Sequence, residues 1–314
     1  MEIINSLDNI NIGQKTAVAL GNFDGIHIGH REIFRNALDA AKEHDLKSLC
    51  FTFSNHPFNF ILRRDDSDPD AVKLICTEEE KIELIENMGF EILVNVPFDE
   101  HIMTMQAHEF FEDIVKDKLN AGYVSVGFNY TYGARATGRP DTLRRECEAA
   151  GIGVAIHDAV VVDGEVVSST LIREMIATGN MEMTARLLGR PYSFNGTVKH
   201  GKKLGSSMGI PTINIPVPDR QMLPPNGVYF SRIHINGITY NSVSNIGLNP
   251  TVNDDARRKT IETNIFDYDD DAYGQDVTVY FDHFSRGERK FRNKEELFAQ
   301  IARDCENARN YRKK

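Results

Sequence analysis

The sequence has little of several features that define whole classes of protein. Cysteine is scarce: the 314 residues include only Cys50, Cys76, Cys147 and Cys305, and no two of them form a C-x-x-C pair. Their wide separation predicts free, mostly buried thiols in a reducing compartment. The sequence also contains no internal repeat and no low-complexity tract, so a repeat architecture is not expected.

Positive charge and long apolar runs are scarce as well. The formal net charge is −10, and an acidic chain repels nucleic-acid phosphates and anionic membranes unless it carries a local basic patch. No apolar run is long enough to span a bilayer, and the first residues lack the pattern of a signal peptide. We therefore expect a cytoplasmic small-molecule enzyme that binds neither nucleic acid nor membrane. The oligomeric state is left open.

The first half of the sequence alternates between strand-like and helix-like segments. Strands are predicted over residues 16–20, 48–53, 92–96, 123–128 and 153–162. Helical spacing of apolar residues fills the gaps, over residues 31–44, after a Thr77–Glu80 capping box, around residues 110–115 and over 141–150. This alternation predicts a parallel sheet covered on both faces, with ligands bound beyond the carboxyl ends of its strands.

The pattern of predicted elements changes after two short predicted helices over residues 170–188. Short strand-like runs follow at residues 193–198, 227–235, 238–245, 260–267 and 275–281. Asn236-Gly237 is a hairpin signal, and a terminal helix is predicted with Asn293 as a possible cap. We expect a small antiparallel β-barrel with a terminal helix, and two domains over residues 1–187 and 188–314.

Residues 21–30, Gly-Asn-Phe-Asp-Gly-Ile-His-Ile-Gly-His, lie between a predicted strand and a predicted helix. Glycine permits close approach of a ligand to the backbone, and a helix start directs N–H groups at an anion. His27 and His30 share a face of the first helical turn and can donate to phosphate oxygens as charge develops. We predict catalytic roles for this pair. The predicted nucleotide contacts are Gly21, Asn22, Phe23, Asp24, Gly25 and Gly29.

Three further segments of the first half carry candidate residues. Hydroxyls at a helix start plus an arginine can clamp an anion, and this pattern supplies Ser168, Ser169, Thr170 and Arg173. Asn129, in a glycine-bounded loop after a strand, is a further candidate nucleotide contact. His56 and Pro57 follow the second strand and could contact a co-substrate; a plain loop histidine explains them nearly as well.

A second constellation begins in the second half of the chain. A glycine-rich segment precedes Thr212 and Asn214. Its candidate nucleotide contacts are Gly201, Lys202, Gly205, Gly209 and Pro211. The Thr212 and Asn214 side chains face the same way on an extended segment, and their oxygens can hold Mg²⁺ and a phosphate. Glu262 stands in a neutral run and could accept a proton from an alcohol. On physical grounds alone, a turn and a cross-strand polar residue explain these residues equally well.

Two sets of motifs resemble known enzymes. Residues 21–30 and the Ser-Ser-Thr-Leu-Ile-Arg segment at 168–173 resemble the nucleotidyltransferase superfamily with the H-x-G-H signature. The second half resembles a riboflavin kinase domain through residues 201–205, 209–214, 225–229, 245–251, Glu262 and 286–291. Together, and in this order, the motifs resemble the bacterial bifunctional riboflavin kinase/FMN adenylyltransferase (FAD synthetase) family over nearly the whole chain.

This resemblance implies two reactions. The barrel would phosphorylate riboflavin with ATP to give FMN, with Thr212 and Asn214 as Mg²⁺-ATP ligands and Glu262 as the base. The α/β domain would transfer AMP from a second ATP to FMN, giving FAD and pyrophosphate. The resemblance also implies a set of flavin contacts, which are His56, Pro57, Gly227, Arg286 and Glu288.

The chain departs from the family pattern at four places: Ile213 replaces a usual alanine, Ser206 a common arginine, residues 54–57 differ from Pro-His-Pro, and Asn129 replaces a frequent aspartate. None removes a group to which chemistry is assigned, although Ile213 crowds the kinase motif. Two alternatives stay open: an enzyme with a single live activity, and a non-catalytic flavin- or nucleotide-sensing protein.

Overall fold

The structure, a computed structural model, describes residues 1–8, 10, 12–65, 68–199, 212–217, 220–249 and 258–311, with the backbone alone at 248, 249 and 258. The chain divides into two compact units, Met1–Ser169 and Thr170–Lys314. This division places two short helices in the second unit. They are α7 (Ser169–Thr178), except for its first residue, and α8 (Met181–Leu188). The predicted functional boundary between residues 187 and 188 stays a prediction.

The first unit is built on a six-stranded sheet with the strand order β1-β4-β3-β2-β5-β6. All of its strand pairs are parallel, which confirms the predicted α/β fold. The strands are β1 (Glu2–Ile4), β2 (Thr16–Leu20), β3 (Lys47–Phe53), β4 (Ile92–Val96), β5 (Ala121–Gly127) and β6 (Gly153–His157). The helices are α1 (Ile28–Glu43), α2 (Pro57–Ile61), α3 (Glu78–Asn87), α4 (Glu100–Thr104), α5 (Ala107–Glu109), a π-helix (Phe110–Lys118), a 3₁₀ turn (Ala134–Ala136) and α6 (Pro140–Ala150).

Strand β2 shows why the sheet sits inside the unit. All five of its residues are buried. Val18 and Leu20 pack in one apolar cluster and Ala19 in another, since alternate residues of a strand face opposite sides. An apolar run without polar alternation is therefore what a strand covered on both faces requires. The predicted Thr77–Glu80 capping box at the start of α3 is also confirmed.

Two predicted elements of this unit differ in the structure. The strand predicted over residues 153–162 stops at His157, and β7 (Val161–Val162) instead forms a hairpin with β8 (Glu165–Val166). The turn between them is Asp163-Gly164, both with positive φ (52° and 87°), the signature of a tight hairpin. The predicted helix around residues 110–115 exists, but its hydrogen bonding is that of a π-helix.

The second unit is an antiparallel sheet with the strand order β10-β13-β12-β11-β14-β9. Its strands are β9 (Tyr192–Thr197), β10 (Ile213–Pro216), β11 (Gly227–Ile235), β12 (Ile238–Asn249), β13 (Arg258–Ile265) and β14 (Asp276–Gly287). The two edges approach each other where the amide of Lys199 donates to the carbonyl of Asn214, at 2.9 Å. This isolated bridge links the two edges of the sheet, which curves as a half-barrel, in keeping with the predicted small barrel. The terminal helix α9 (Lys294–Tyr311) packs on one face, against β11 and β12.

Several local predictions for this unit are confirmed. Asn236 and Gly237 both have positive φ (51° and 78°) and join β11 to β12. Asn293 caps α9, since its Oδ1 accepts from the amide of Glu296 at 2.8 Å. In the chain as a whole the four cysteines are free thiols, three of them buried. No helix among the described residues is long and apolar enough to cross a membrane.

Candidate active sites

The first candidate site lies on the loop that leaves the carboxyl end of β2 and enters α1. Within it, Phe23, Gly25 and Ile26 have positive φ values of 50°, 80° and 39°. A β-branched residue with positive φ is strained, so the surroundings must hold Ile26 in place. Ile26 and Phe23 are each only 1% exposed, and their burial supplies that constraint. Strain held by packing is a common property of functional loops.

His27 ends this loop and caps α1. Its Nδ1 accepts from the amide of His30 at 3.2 Å, so the proton of the neutral imidazole is on Nε2, which is left as a donor. The two imidazoles stack with their centroids 3.5 Å apart and an interplanar angle of 19°. A Cβ on Gly29 would come within 3.2 Å of the His27 ring. Glycine at this position therefore gives the His27 ring the space it occupies.

His30 sits one turn into the helix, against the edge of the Phe23 ring at 5.2 Å. Burial, and secondly the nearby His27, lower its pKa well below the ordinary value for histidine. Its Nδ1 is buried and has no hydrogen-bond partner among the described residues. Before substrate binds, His30 is consequently held as a neutral imidazole rather than as a positive charge.

A pocket beside this loop brings together several of the predicted residues. It is lined by Asn22, Asp24, Phe53, Ser54, Asn55, His56, Leu74, Cys76, Thr77, Glu78 and Lys81. Asp24 anchors one wall, because its Oδ1 accepts from the amide of Ile75 at 3.0 Å. Its carbonyl accepts from the Ser169 hydroxyl at 3.0 Å. The hydrogen bond from Ser169 joins two motifs that are 145 residues apart in sequence.

Two charged residues of this pocket were missed from the sequence. Lys81 is only 8% exposed, and its Nζ donates to the carbonyl of Phe53 at 2.6 Å. Burial lowers its pKa, opposed by nearby groups including Cys76 and Asp24. Glu78 accepts from the amide of Asn95 at 2.6 Å. The capping box predicted the helix that carries both residues, but helical periodicity alone does not show that a lysine points inward.

The remaining predicted residues of the first half occupy separate elements. Asn129 follows β5 and is exposed, and its Oδ1 would lie 3.4 Å from a Cβ built on Gly127. His56 occupies the N-cap position of α2 without a capping hydrogen bond from its side chain, and Pro57 is the first residue of that helix. Thr170 and Arg173 lie on α7, within the second unit. Their predicted roles, and that of Ser168, stay predictions.

The second candidate site is assembled by strand register. Asn214 on β10 pairs with Glu262 on β13, Glu262 pairs with Asn245 on β12, and Asn245 pairs with Val228 on β11. Val228 in turn pairs with Arg286 on β14. Directly opposed residues share a face of the sheet, so Asn214 and Glu262 are neighbours, as the chemistry assigned to them requires. Thr212 immediately precedes β10 and is half-buried.

The Asn214 side chain provides a test of whether a cation fits here. Its Oδ1 is buried and has no hydrogen-bond partner among the described residues. A buried carbonyl oxygen without a partner is costly, and a hard cation such as Mg²⁺ coordinates oxygen of this kind. The residues present therefore fit a divalent cation.

The predicted flavin contacts of the barrel are engaged with other residues. Arg286 forms an ion pair with Asp304 of α9 at 2.6 Å, and the Asp304 carboxylate is buried. Glu288 accepts from the Asn226 amide at 3.3 Å. Gly227 starts β11 and pairs with Gly287. Five predicted nucleotide contacts lie outside the described residues, and they are Gly201, Lys202, Gly205, Gly209 and Pro211.

An imidazole pair at a helix start beyond a parallel sheet, and a carboxylate–amide row in an antiparallel barrel-like sheet, suit one class of protein: enzymes that transfer phosphorus-containing groups from a nucleotide. Comparison with known proteins identifies the family within this class. Residues 9–171 match the FAD synthetase family and residues 188–312 match the riboflavin kinase family. The chain belongs to the bifunctional riboflavin kinase/FMN adenylyltransferase family.

Individual relatives agree along nearly the whole length of the chain. The bifunctional riboflavin kinase/FMN adenylyltransferase of Bacillus subtilis is 34% identical over 95% of this chain and 92% of the relative. The protein of the same name from Haemophilus influenzae is 31% identical over 98% of each chain. A crystal structure titled as a macrolide-efflux protein from Streptococcus pneumoniae superimposes with a TM-score of 0.88, at 32% identity and over 98% of each chain.

Proposed function

We propose that the two activities divide between the two sites, with FMN made in the barrel and FAD made on the parallel-sheet unit. The enzyme is a riboflavin kinase and an FMN adenylyltransferase, and it uses ATP. The register that sets Asn214 beside Glu262 is the observation that carries the assignment of the kinase site. The stacked pair of His27 and His30 carries the other assignment.

In the barrel, the Glu262 carboxylate accepts the proton of the riboflavin 5′-hydroxyl as the hydroxyl oxygen attacks the γ-phosphorus of ATP. The new O–P bond gives FMN, and the bond from the γ-phosphorus to ADP breaks. Asn214 and Thr212 would hold Mg²⁺, which when bound neutralises charge on the phosphate oxygens. The buried Oδ1 of Asn214, which has no hydrogen-bond partner in the described part of the chain, supports its place in this ligand set.

In the first unit, a phosphate oxygen of FMN attacks the α-phosphorus of a second ATP. The bond to the β-phosphate breaks, and pyrophosphate leaves with the negative charge. The Nε2–H of His27, fixed as a donor by the Nδ1 contact to the amide of His30, donates to a phosphate oxygen on which charge accumulates. His30, stacked on His27, is the second hydrogen-bond donor to the phosphate oxygens. FMN occupies the pocket that includes His56.

Product separation tests the proposal directly. Purified protein given riboflavin, ATP and Mg²⁺ should form FMN first and FAD second, with ADP and pyrophosphate in matching amounts. Protein given FMN and ATP should form FAD without ADP. FMN accumulation without FAD, or FAD formed only when FMN is supplied, would identify a single live activity and contradict the two-site assignment.

A further inference from the structure

Lys81 is a buried cation to which neither the motifs nor the comparisons assign a role. It lies on α3, is only 8% exposed, and lines the pocket beside the loop of residues 21–30. A lysine is rarely buried to this extent unless an opposite charge or several hydrogen-bond acceptors replace its lost hydration. The partners of its ammonium group therefore indicate what the residue does.

The fold compensates this charge only in part. The ammonium group has three N–H donors, and the carbonyl of Phe53 accepts from one of them at 2.6 Å. In the described part of the chain, no carboxylate forms an ion pair with Nζ. Burial lowers the pKa of Lys81, and nearby groups, Cys76 first among them, act in the opposite direction. An anionic ligand beside Nζ would therefore stabilise the ammonium group.

The two carboxylates of the same pocket are each held by an amide. Asp24 Oδ1 accepts from the backbone amide of Ile75 at 3.0 Å, and Glu78 accepts from the side-chain amide of Asn95 at 2.6 Å. Among the described residues that line the pocket, Lys81 is the only lysine or arginine. An anion that enters the pocket consequently finds its one fixed positive charge at Lys81 Nζ.

We propose that the Lys81 ammonium group binds the phosphate of FMN and so distinguishes FMN from riboflavin in the adenylyl-transfer site. This inference rests on the proposed function, which places FMN in this pocket. A phosphate has three terminal oxygens, so Lys81 can hold one of them while another attacks the α-phosphorus of ATP. Asp24 on the pocket wall is three residues before His27, which keeps a phosphate bound here near the imidazole pair.

The test is the steady-state kinetics of FAD formation from FMN and ATP in Lys81→Met. Methionine keeps an unbranched side chain and removes the charge. We expect KM for FMN to rise about 10- to 100-fold, the loss of a hydrogen bond to a charged group, with KM for ATP changed less than about threefold. The inhibition constant of 5′-deoxyriboflavin, which has no phosphate and cannot be phosphorylated at that position, should stay within about twofold.

Lys47→Met is the matched control. Lys47 starts β3 in the same unit, and its exposed ammonium group lies 3.8 Å from Glu91, so its constants should equal those of wild type. FMN formation from riboflavin should be unchanged in both variants. Lys81→Gln keeps a donor for the Phe53 carbonyl, and it replaces Lys81→Met in the same measurements if urea unfolding shows that Lys81→Met is not folded.

Three results would overturn the inference. They are an unchanged KM for FMN, a raised KM for ATP in its place, and an equal rise in KM for FMN and in the inhibition constant of 5′-deoxyriboflavin. The last result would show that Lys81 supports the flavin pocket through the carbonyl of Phe53 and does not contact the phosphate. Failure of the proposed function is distinct, because wild type itself would then form no FAD from FMN and ATP.

Discussion

The two sites are built in opposite ways. The first is contiguous: ten residues, 21–30, hold the strained loop, the helix cap and both imidazoles. The second is scattered, because Asn214 and Glu262 come from two strands and meet only through register. A contiguous site survives as long as its loop is held, whereas a register-built site depends on every strand pair between its members.

The largest expected effect is on the register-built site. Replacing Glu262 with glutamine keeps the side-chain size and removes the proposed base, so FMN formation should fall about 10²- to 10⁴-fold. FAD formation from supplied FMN should be unaffected in the same sample, which serves as the internal control. Equal losses in both reactions, without unfolding, would contradict the division of labour between the two units.

The difference between the sites also explains what the sequence could predict. The loop of residues 21–30 combines strand, glycine and helix signals within one short window, so its place beyond β2 followed from local chemistry. Nothing local places Glu262 beside Asn214; only the resemblance to riboflavin kinases connected them. Lys81 was missed for a related reason: its helix was predictable, but its burial depends on strands remote in sequence.

The contiguous site should respond to His30→Ala with a loss of about 10²- to 10³-fold in FAD formation, since a donor to the developing charge is removed. FMN formation should stay within twofold, roughly the scatter of such assays. His44→Ala is the matched control, because His44 caps the other end of α1 and is exposed. If His44→Ala were as damaging as His30→Ala, the effect would be on the helix and not on the chemistry.

Replacing Arg286 tests whether this residue binds flavin or stabilises the barrel. Its partner Asp304 has a side chain only 4% exposed, so Arg286→Ala leaves a buried carboxylate without a charged partner, with the Gln300 amide still donating to it, and should destabilise the second unit by about 2–3 kcal/mol. Arg309→Ala breaks an exposed pair with Asp267 and should destabilise the unit much less than Arg286→Ala does. Urea unfolding compares the two. A raised KM for riboflavin with unchanged stability would instead support the predicted flavin contact.

Gly29→Ala should lower activity without weakening helix α1. Alanine favours helix by up to about 1 kcal/mol over glycine, so α1 should not be weakened. The added Cβ would press on the His27 ring at 3.2 Å, and the displaced ring should slow FAD formation about 3- to 10-fold. Gly13→Ala, with open space around the added Cβ, is the control. An unchanged rate in Gly29→Ala would show that the position of the His27 ring does not matter.

The smallest predicted effect is a dependence of the first unit's stability on pH. Because the pKa of His30 is lowered in the folded state, between that value and about 6.5 the unfolded chain binds a proton that the folded chain does not. The contribution of His30 is therefore fully present above the unfolded pKa and is lost as pH falls below it, by at most about 1.4 kcal/mol per pH unit.

His30→Asn should remove this part of the acid sensitivity. The variant and wild type are compared by urea unfolding near pH 7 and near pH 5. Hydrogen exchange in peptides from α1 then reports the stability of the first unit by itself. The free energy of unfolding of wild type should fall more than that of the variant over this interval, while peptides of the barrel show no such difference. Identical losses in both proteins would mean that His30 accepts a proton in the folded state, and the argument that His30 is a neutral donor would fail.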